Sequence, residues 1–252
     1  MTGWGALLVF VAGIGAGTIN TVVGSGTLLT FPALLAVGLA PVTANVSNTV
    51  GLAPGSLSGA IGYRAELVGQ GRRTSILATG SVLGGIIGAV LLLTLPAAAF
   101  LAIVPVLIGI SLVLVIVQPW LSERLAARNG ADRTEVTPAL WVGVFLTGIY
   151  GGYFGAAQGI LLLAIMGVLL TESLQRINGV KNVLATLANA VAAVVFVFTA
   201  DVDWVAAALV AAGAVIGGQI GARVGRRLPP GVLRAVVVIV GLTAIAKLLF
   251  WS

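Results

Sequence analysis

Runs of about 20 apolar residues, each long enough to cross a hydrocarbon core of roughly 30 Å as a helix, follow one another along almost the whole chain. They fall at approximately 3–23, 42–63, 74–95, 97–119, 138–157, 173–199, 204–224 and 231–251. Soluble domains carry roughly a quarter charged residues, whereas this sequence carries 8%, with 59% hydrophobic residues. The expected fold class is therefore all-α: a polytopic membrane protein of the cell membrane, with the lipid bilayer as its surroundings. The N-terminal stretch "MTGWGALLVFVAGIGAG" has no basic flank and merges into the apolar pattern, so it reads as a first crossing and not as a removable signal.

Two further apolar pieces, 27–39 and 159–170, are too short for an upright crossing and follow glycine-rich breaks, so half-helices or re-entrant arms are expected there. Pro41 and Pro96 stand where new helices can begin, and Pro229 and Pro230 end a loop after Arg226 and Arg227. Pro54 and Pro105 fall inside predicted helices and are expected to kink them. The long polar connection "SERLAARNGADRTEVTP", Ser122 to Pro138, divides the chain into a first repeat at 1–120, a cytoplasmic connection at 121–137 and a second repeat at 138–252.

The two halves match at informative places. With a shift of 131, Gly17 meets Gly148 and Gly24 meets Gly155; with a shift of 133, Leu28 and Leu29 meet Leu161 and Leu162. Under the second shift Asn48, Thr49, Ser56 and Tyr63 fall on Lys181, Asn182, Asn189 and Phe196. Charge decides how the repeats are oriented. Five segments per half put Arg64, Arg72, Arg73, Arg124, Arg128, Arg133, Arg176, Arg226 and Arg227 on one side and Asp201 and Asp203 on the other, as the positive-inside tendency requires. Four plain crossings per half violate it. An odd count inverts the second half, so a five-plus-five inverted repeat with both termini outside is expected, an arrangement common in secondary transporters.

Function is bounded first by what is absent. With no Cys and no His, the sequence cannot build disulfides, thiolate or imidazole metal sites, or His-based catalysis. No cofactor and no metal are expected, and no enzyme. The net charge of +6 is spread over short clusters between apolar runs, which argues against a nucleic-acid partner. "GIGAGT" from Gly13 imitates a dinucleotide fingerprint but has no βαβ unit around it. "GSG" at Gly24 imitates an intramembrane protease motif, for which a Ser25–Lys181 pair is the sole rescue.

The breaks carry the chemistry. A helix interrupted within lipid persists only where protein or a water-filled cavity meets its free backbone groups. In "GSGTLL" and "AAQGILL" a new arm is expected to start near Thr27 and near Gly159 or Ile160, each aiming free N–H groups and the positive end of its dipole at the break. Two inverted halves would aim two such ends at one centre, which suits a small anion. Glycine and serine also permit close helix packing without a ligand, and that reading accounts for Gly80 to Ala89 and Gly217 to Gly225.

Lys181 is the strongest single signal. Thr171 or Ser173 can cap its helix, and Lys181 then lies about 12 Å along it, well inside the bilayer. A charge at that depth usually marks a pathway or a counter-ion site. Glu172 lies two turns back and Asp201 and Asp203 beyond the far end, so a bound anion is the expected partner; snorkelling to the headgroups is the alternative. Asn178, Asn182 and Asn189 continue a polar stripe. The candidate substrate-binding residues are Asn20, Ser25, Gly26, Thr27, Asn48, Thr49, Ser56, Tyr150, Gln158, Gly159, Asn178, Lys181, Asn182 and Asn189.

At these residues the chain resembles the TauE/SafE family of sulfite exporters. The likeness runs through "LLTFPALLAVGLAPVTANVSNTVG", "PGSLSGAIGYR", "GIYGGYFGAAQGILLL" and "INGVKNVLATLAN". It implies export or import of small sulfur anions, such as sulfite or organosulfonates, across a prokaryotic cytoplasmic membrane. Relatives resembling this subgroup often carry Asp after the second-half Tyr and a "GPGTG"-like turn, where this sequence has Gly151 and "GAAQG". The expected function is alternating-access transport of a small anion, with an anion channel of the same fold or an intramembrane Ser/Lys hydrolase as alternatives.

Overall fold

The computed structural model describes residues 2–126, 135–224 and 230–250. Arg128, Arg133, Arg226, Arg227 and Pro229 lie outside the described residues. Among the described residues there is no strand; the chain forms α1 (Gly3–Val22), α2 (Thr27–Ala36), α3 (Pro41–Gly62), α4 (Gly71–Thr94), α5 (Ala97–Ala126), α6 (Pro138–Tyr153), α7 (Gln158–Leu169), α8 (Leu174–Thr199), α9 (Trp204–Val224) and α10 (Pro230–Phe250), with a short 3-10 helix at Arg64–Leu67. Local signals explain several starts. Pro41 and Pro138 open α3 and α6, where no N–H is needed. Thr2, Thr137 and Ser173 each accept a first-turn N–H, from Gly5, Leu140 and Arg176. Ser173, and not Thr171, caps the helix of Lys181.

Among the described residues, five helices are long and apolar enough to cross a membrane: Gly3–Val22, Gly71–Thr94, Ala97–Leu121, Leu174–Thr199 and Trp204–Arg223. The sequence suggests eight spans, and for α3 and α6 the difference has physical causes. Helix α3 has the length but carries Thr43, Asn45, Ser47, Asn48, Thr49, Ser56 and Ser58, most of them buried against protein and not lipid. Helix α6 stops at Tyr153, short of the expected 157, because the backbone turns there into the second break. Helix α5 continues through Pro119 to Ala126, so the start of the expected polar connection is helical. Both α3 and α5 run on past Pro54 and Pro105.

The bundle is held together by two glycine seams. Gly13 and Gly17 of α1 lie on Val210 and Ala214 of α9, where a Cβ on Gly17 would come within 2.2 Å of the Ala214 carbonyl oxygen. Gly84 and Gly88 of α4 lie on Phe145 and Ile149 of α6, and a Cβ on Gly88 would come within 2.0 Å of the Ile149 carbonyl oxygen. Such backbone contact is how small residues associate helices in lipid. It also gives Gly80–Ala89, and Gly217, Gly218 and Gly221, their packing role. The major helix interfaces pair off when α1–α5 are exchanged for α6–α10: α1–α9 corresponds to α6–α4, α3–α9 to α8–α4, and α1–α2 to α6–α7.

Both short arms turn back. Thr2, Trp4 and Gly5 at the start of α1 line one surface cavity with Ala36 and Val37 at the end of α2. Glu135 and Val136, before α6, line another with Arg72 and Arg73, and Glu172, just after α7, pairs with the same Arg73. Each pair of helices thus enters and leaves at one side. The sides differ: α1 runs alongside α9 in the same direction, and α9 begins beside Asp201, which shares a cavity with Leu92, Leu93 and Leu95 at the far end of α4. The α1–α2 hairpin opens at the end of α4, and the α6–α7 hairpin at its start.

Candidate substrate site at the two helix breaks

The two breaks begin alike. After α1, the N–H groups of Val23 and Gly24 both donate to the Ile19 carbonyl, at 2.7 and 3.0 Å; after α6, those of Phe154 and Gly155 both donate to the Tyr150 carbonyl, at 2.9 and 3.0 Å. Gly24 and Gly155 then take positive φ, 94° and 75°, which glycine adopts without a Cβ penalty. The helical bonds of α2 begin at Leu28, which donates to Ser25, so the N–H groups of Ser25, Gly26 and Thr27 precede the first turn. In the second break Ala157 holds a left-handed conformation, φ 58°, and the Gln158 N–H returns to Gly155.

The breaks then touch. The Gly159 N–H donates to the Gly24 carbonyl at 3.1 Å, and a Cβ on Gly24 would sit 2.3 Å from the Gly159 Cα. Ser25 and Gln158 flank this contact, at 1% and 3% exposure. Ser25 Oγ and Gln158 Nε2 are buried and have no partner among the described residues. A side chain on Gly151 would collide with the Gln158 amide, at 2.3 Å from Nε2, so this glycine makes room for the glutamine.

Lys181 is fully buried beside the same contact, its Cδ 3.2 Å from the Cβ position of Gly159. Its ammonium does not snorkel. It donates to the carbonyls of Asn20 and Thr21, each at 3.3 Å, in the last turn of α1, where the helix dipole is negative. Asn178 and Asn182 donate to the Thr21 carbonyl at 3.5 and 3.2 Å. An ammonium has three donors, and two are used by these carbonyls. Among the described residues no carboxylate lies within ion-pair distance of it.

The other candidates divide. Asn20 and Asn189 both donate to Ser56 Oγ, at 3.1 and 3.3 Å, joining α1, α3 and α8 beside the Lys181 cluster. Thr27 and Asn48 are occupied with each other and with Thr30: the Thr30 hydroxyl donates to Asn48 Oδ1, and Asn48 Nδ2 donates to Thr27 Oγ1 at 3.4 Å, which moors the start of α2 to α3. Thr49 turns its hydroxyl to its own helix, donating to the Asn45 carbonyl at 3.0 Å. The Tyr150 hydroxyl donates to the Ala156 carbonyl and meets Ser111 Oγ at 2.9 Å, clipping the second break to α5. Gly26 is the N-cap of α2, packed on the Ala16 carbonyl.

Three residues that sequence reasoning missed support the breaks. Asn45 Nδ2 donates to the Tyr153 carbonyl at 2.9 Å and so satisfies the end of α6. Ser111 joins Tyr150 and the Ala156 carbonyl. Thr30 secures Asn48. The available signal was polarity out of place: Ser111 is a lone hydroxyl within an apolar run, and Asn45 precedes Asn48 on one face of α3.

At the end where α4 begins, Glu172 joins Arg73 at 3.0 Å and Arg176 at 2.8 Å. Gln70 ties this cluster together, accepting from Arg73 and donating to the carbonyls of Glu66 and Arg176. Burial raises the Glu172 carboxyl, but hydrogen bonds and charge from Arg73 and Arg176 outweigh it and hold the group below the usual carboxylate range.

The family model for the sulfite exporter TauE/SafE matches residues 9–248 of the chain. A probable membrane transporter protein, YfcA, of Escherichia coli (strain K12) is 28% identical, over 98% of this chain and 90% of its own. A probable membrane transporter protein of Haemophilus influenzae is 24% identical over 96% of this chain and 94% of its own, and the probable membrane transporter protein ORF9 of a Sinorhizobium species is 25% identical over 95% and 90%. No solved structure is significantly similar to the chain.

Proposed function

The chain belongs to the sulfite exporter TauE/SafE family of membrane transporters, and from that premise we propose that it carries a small oxyanion, sulfite or an organosulfonate, by alternating access. One observation carries the reading: the two breaks abut at Gly24 and Gly159, with a buried ammonium and two unpartnered polar side chains at the contact. Unpaired buried polar groups are costly, so a site that keeps them is arranged for a ligand that satisfies them. The anion would take hydrogen bonds from Ser25, Gln158 and the N–H groups before α2, with the third N–H of Lys181 facing its charge.

The hairpins support alternating access. One opens at each end of α4, and their tips meet, so tilting one against the other would expose the contact to one side at a time; this suits two halves related by inversion. Both termini would then lie outside the cytoplasm, with the Arg-rich ends on the cytoplasmic side of the cell membrane.

Uptake of sulfite, sulfonates, thiosulfate and sulfate into proteoliposomes tests this. The expected result is saturable uptake of at least one small sulfur anion, with counterflow on preloading, and a loss of tenfold or more, about 1.4 kcal/mol, in Lys181→Gln. Equal transport by that variant takes Lys181 out of the site, and flux without counterflow makes the protein a channel.

A further inference from the structure

Charge can be counted at the contact between the breaks. Four helix ends converge there: the C-terminal ends of α1 and α6, and the N-terminal ends of α2 and α7. Helix ends carry about half an elementary charge, negative at the C-terminus and positive at the N-terminus, so the four cancel as a set. Among the described side chains that surround the contact, Ser25, Gln158, Asn178 and Asn182 are buried and neutral. What remains is the single charge of Lys181.

The charged and titratable groups on elements packed against α8 do not change this count. Helices α1 and α7 carry none. The carboxylates are Glu66, whose Cβ lies against Gly179, two residues and so about half a turn round α8 from Lys181, and Glu172, held by Arg73 and Arg176. Arg64 and Arg72 lie exposed at the same end, as does Arg223 of α9. Glu123 and Arg124 are exposed near the end of α5. Tyr63, Tyr150 and Tyr153 contribute phenol hydroxyls.

On the transporter reading above, we propose that the substrate is a monoanion: a sulfonate, or an oxyanion that keeps one proton, such as hydrogensulfite, with the dianions sulfate and sulfite excluded. A buried monoanion is neutralised by one ammonium, whereas a dianion leaves an uncompensated charge in a dry interior. A second observation supports a proton-bearing ligand. Asn178 Nδ2 faces the Thr21 carbonyl, which only accepts, so the amide orientation is fixed and Oδ1 is left as an acceptor; it is buried and has no partner among the described residues. A sulfate or sulfite dianion, like an unsubstituted alkyl sulfonate, has nothing to donate to it, whereas hydrogensulfite or a hydroxyalkyl sulfonate has, which favours these two among the monoanions.

The test needs only the unmodified chain in proteoliposomes, with labelled methanesulfonate, sulfite and sulfate offered across the pH range of sulfite's second ionisation. Methanesulfonate stays a monoanion throughout and reports any effect of pH on the protein itself. The expected result is a sulfite rate that, divided by the methanesulfonate rate at the same pH, falls about tenfold per pH unit above that ionisation, and a sulfate rate below a tenth of that of methanesulfonate. Sulfate carried as fast as methanesulfonate, or sulfite uptake that rises with pH, overturns the proposal. If dianions are carried and Lys181→Gln stops them, the charge rule alone falls and the anion site stands. If none of the three anions is carried, the proposed function falls with it.

Discussion

The two breaks enter with the same hydrogen bonds and leave differently. In the first, Ser25 and Gly26 lead straight into α2, and three N–H groups precede the first helical bond. In the second, Ala157 takes a left-handed conformation, the loop is clipped by Tyr150 to the Ala156 carbonyl, and the Gly159 N–H is spent on Gly24. At the position of Tyr150 the first half has Ile19, which has no hydroxyl to clip anything. The first break offers backbone donors and the second offers a side-chain amide, Gln158. Matching turns bring the two loops together, and their differences in detail supply different donors.

The largest expected effect comes from prising the breaks apart. Gly159→Ala sets a Cβ 2.5 Å from the Gly24 Cα, and Gly24→Ala adds a strained φ to a similar clash. Either should cost about 3 kcal/mol or more and abolish transport. Thermal unfolding in detergent checks this, and a Gly159→Ala protein with unchanged melting and transport would show that the loops do not rely on contact. Next come the unpartnered groups. Ser25→Ala and Gln158→Met remove no protein hydrogen bond, so melting should hold within about 1 kcal/mol while transport falls tenfold or more. Equal losses of stability and transport would make them structural.

Tyr150→Phe acts on the second break alone. It should cost about 1 kcal/mol of stability, read as a lower melting temperature, with binding affinity little altered; the matching change at Ile19, to Val, should leave the first loop intact. The smallest effect belongs to Glu172, at the mouth of the α6–α7 hairpin. Its carboxyl is held below its ordinary range in the folded protein, so its contribution is complete above the unfolded pKa and is lost as pH falls through the folded one. Glu172→Gln should flatten the acid side of the melting curve by under about 1 kcal/mol. Among the described residues the α1–α2 hairpin has no such clamp at Ala36 and Val37.

Much of this was legible in the sequence for definite reasons. Short apolar arms after glycine pairs announced α2 and α7 within a residue or two at their starts, because the break residues are set by local backbone geometry. Lys181 stood out because a charge so deep needs a cause. What it faces was not legible. The Asn20 and Thr21 carbonyls are backbone groups of a distant helix, and no side-chain pattern reports them. For the same reason Asn48, Thr49 and Tyr150 looked available but spend their polar atoms on neighbours. The end of α5 was read too early because the polar residues after Trp120 suit an exposed helix as well as a loop.

The glycine seams decide which pieces are able to shift against each other. Backbones pressed this closely fasten α1 to α9 and α4 to α6, so each seam sews one strip of the early chain to one strip of the late chain. The packing is interleaved: α1, α3 and α9 lie together, as do α4, α6 and α8, and α3 against α8 joins the two sets. A gene cut at the central connection would therefore yield two fragments that each bare half of both zippers, and neither should accumulate unless its mate is made in the same cell.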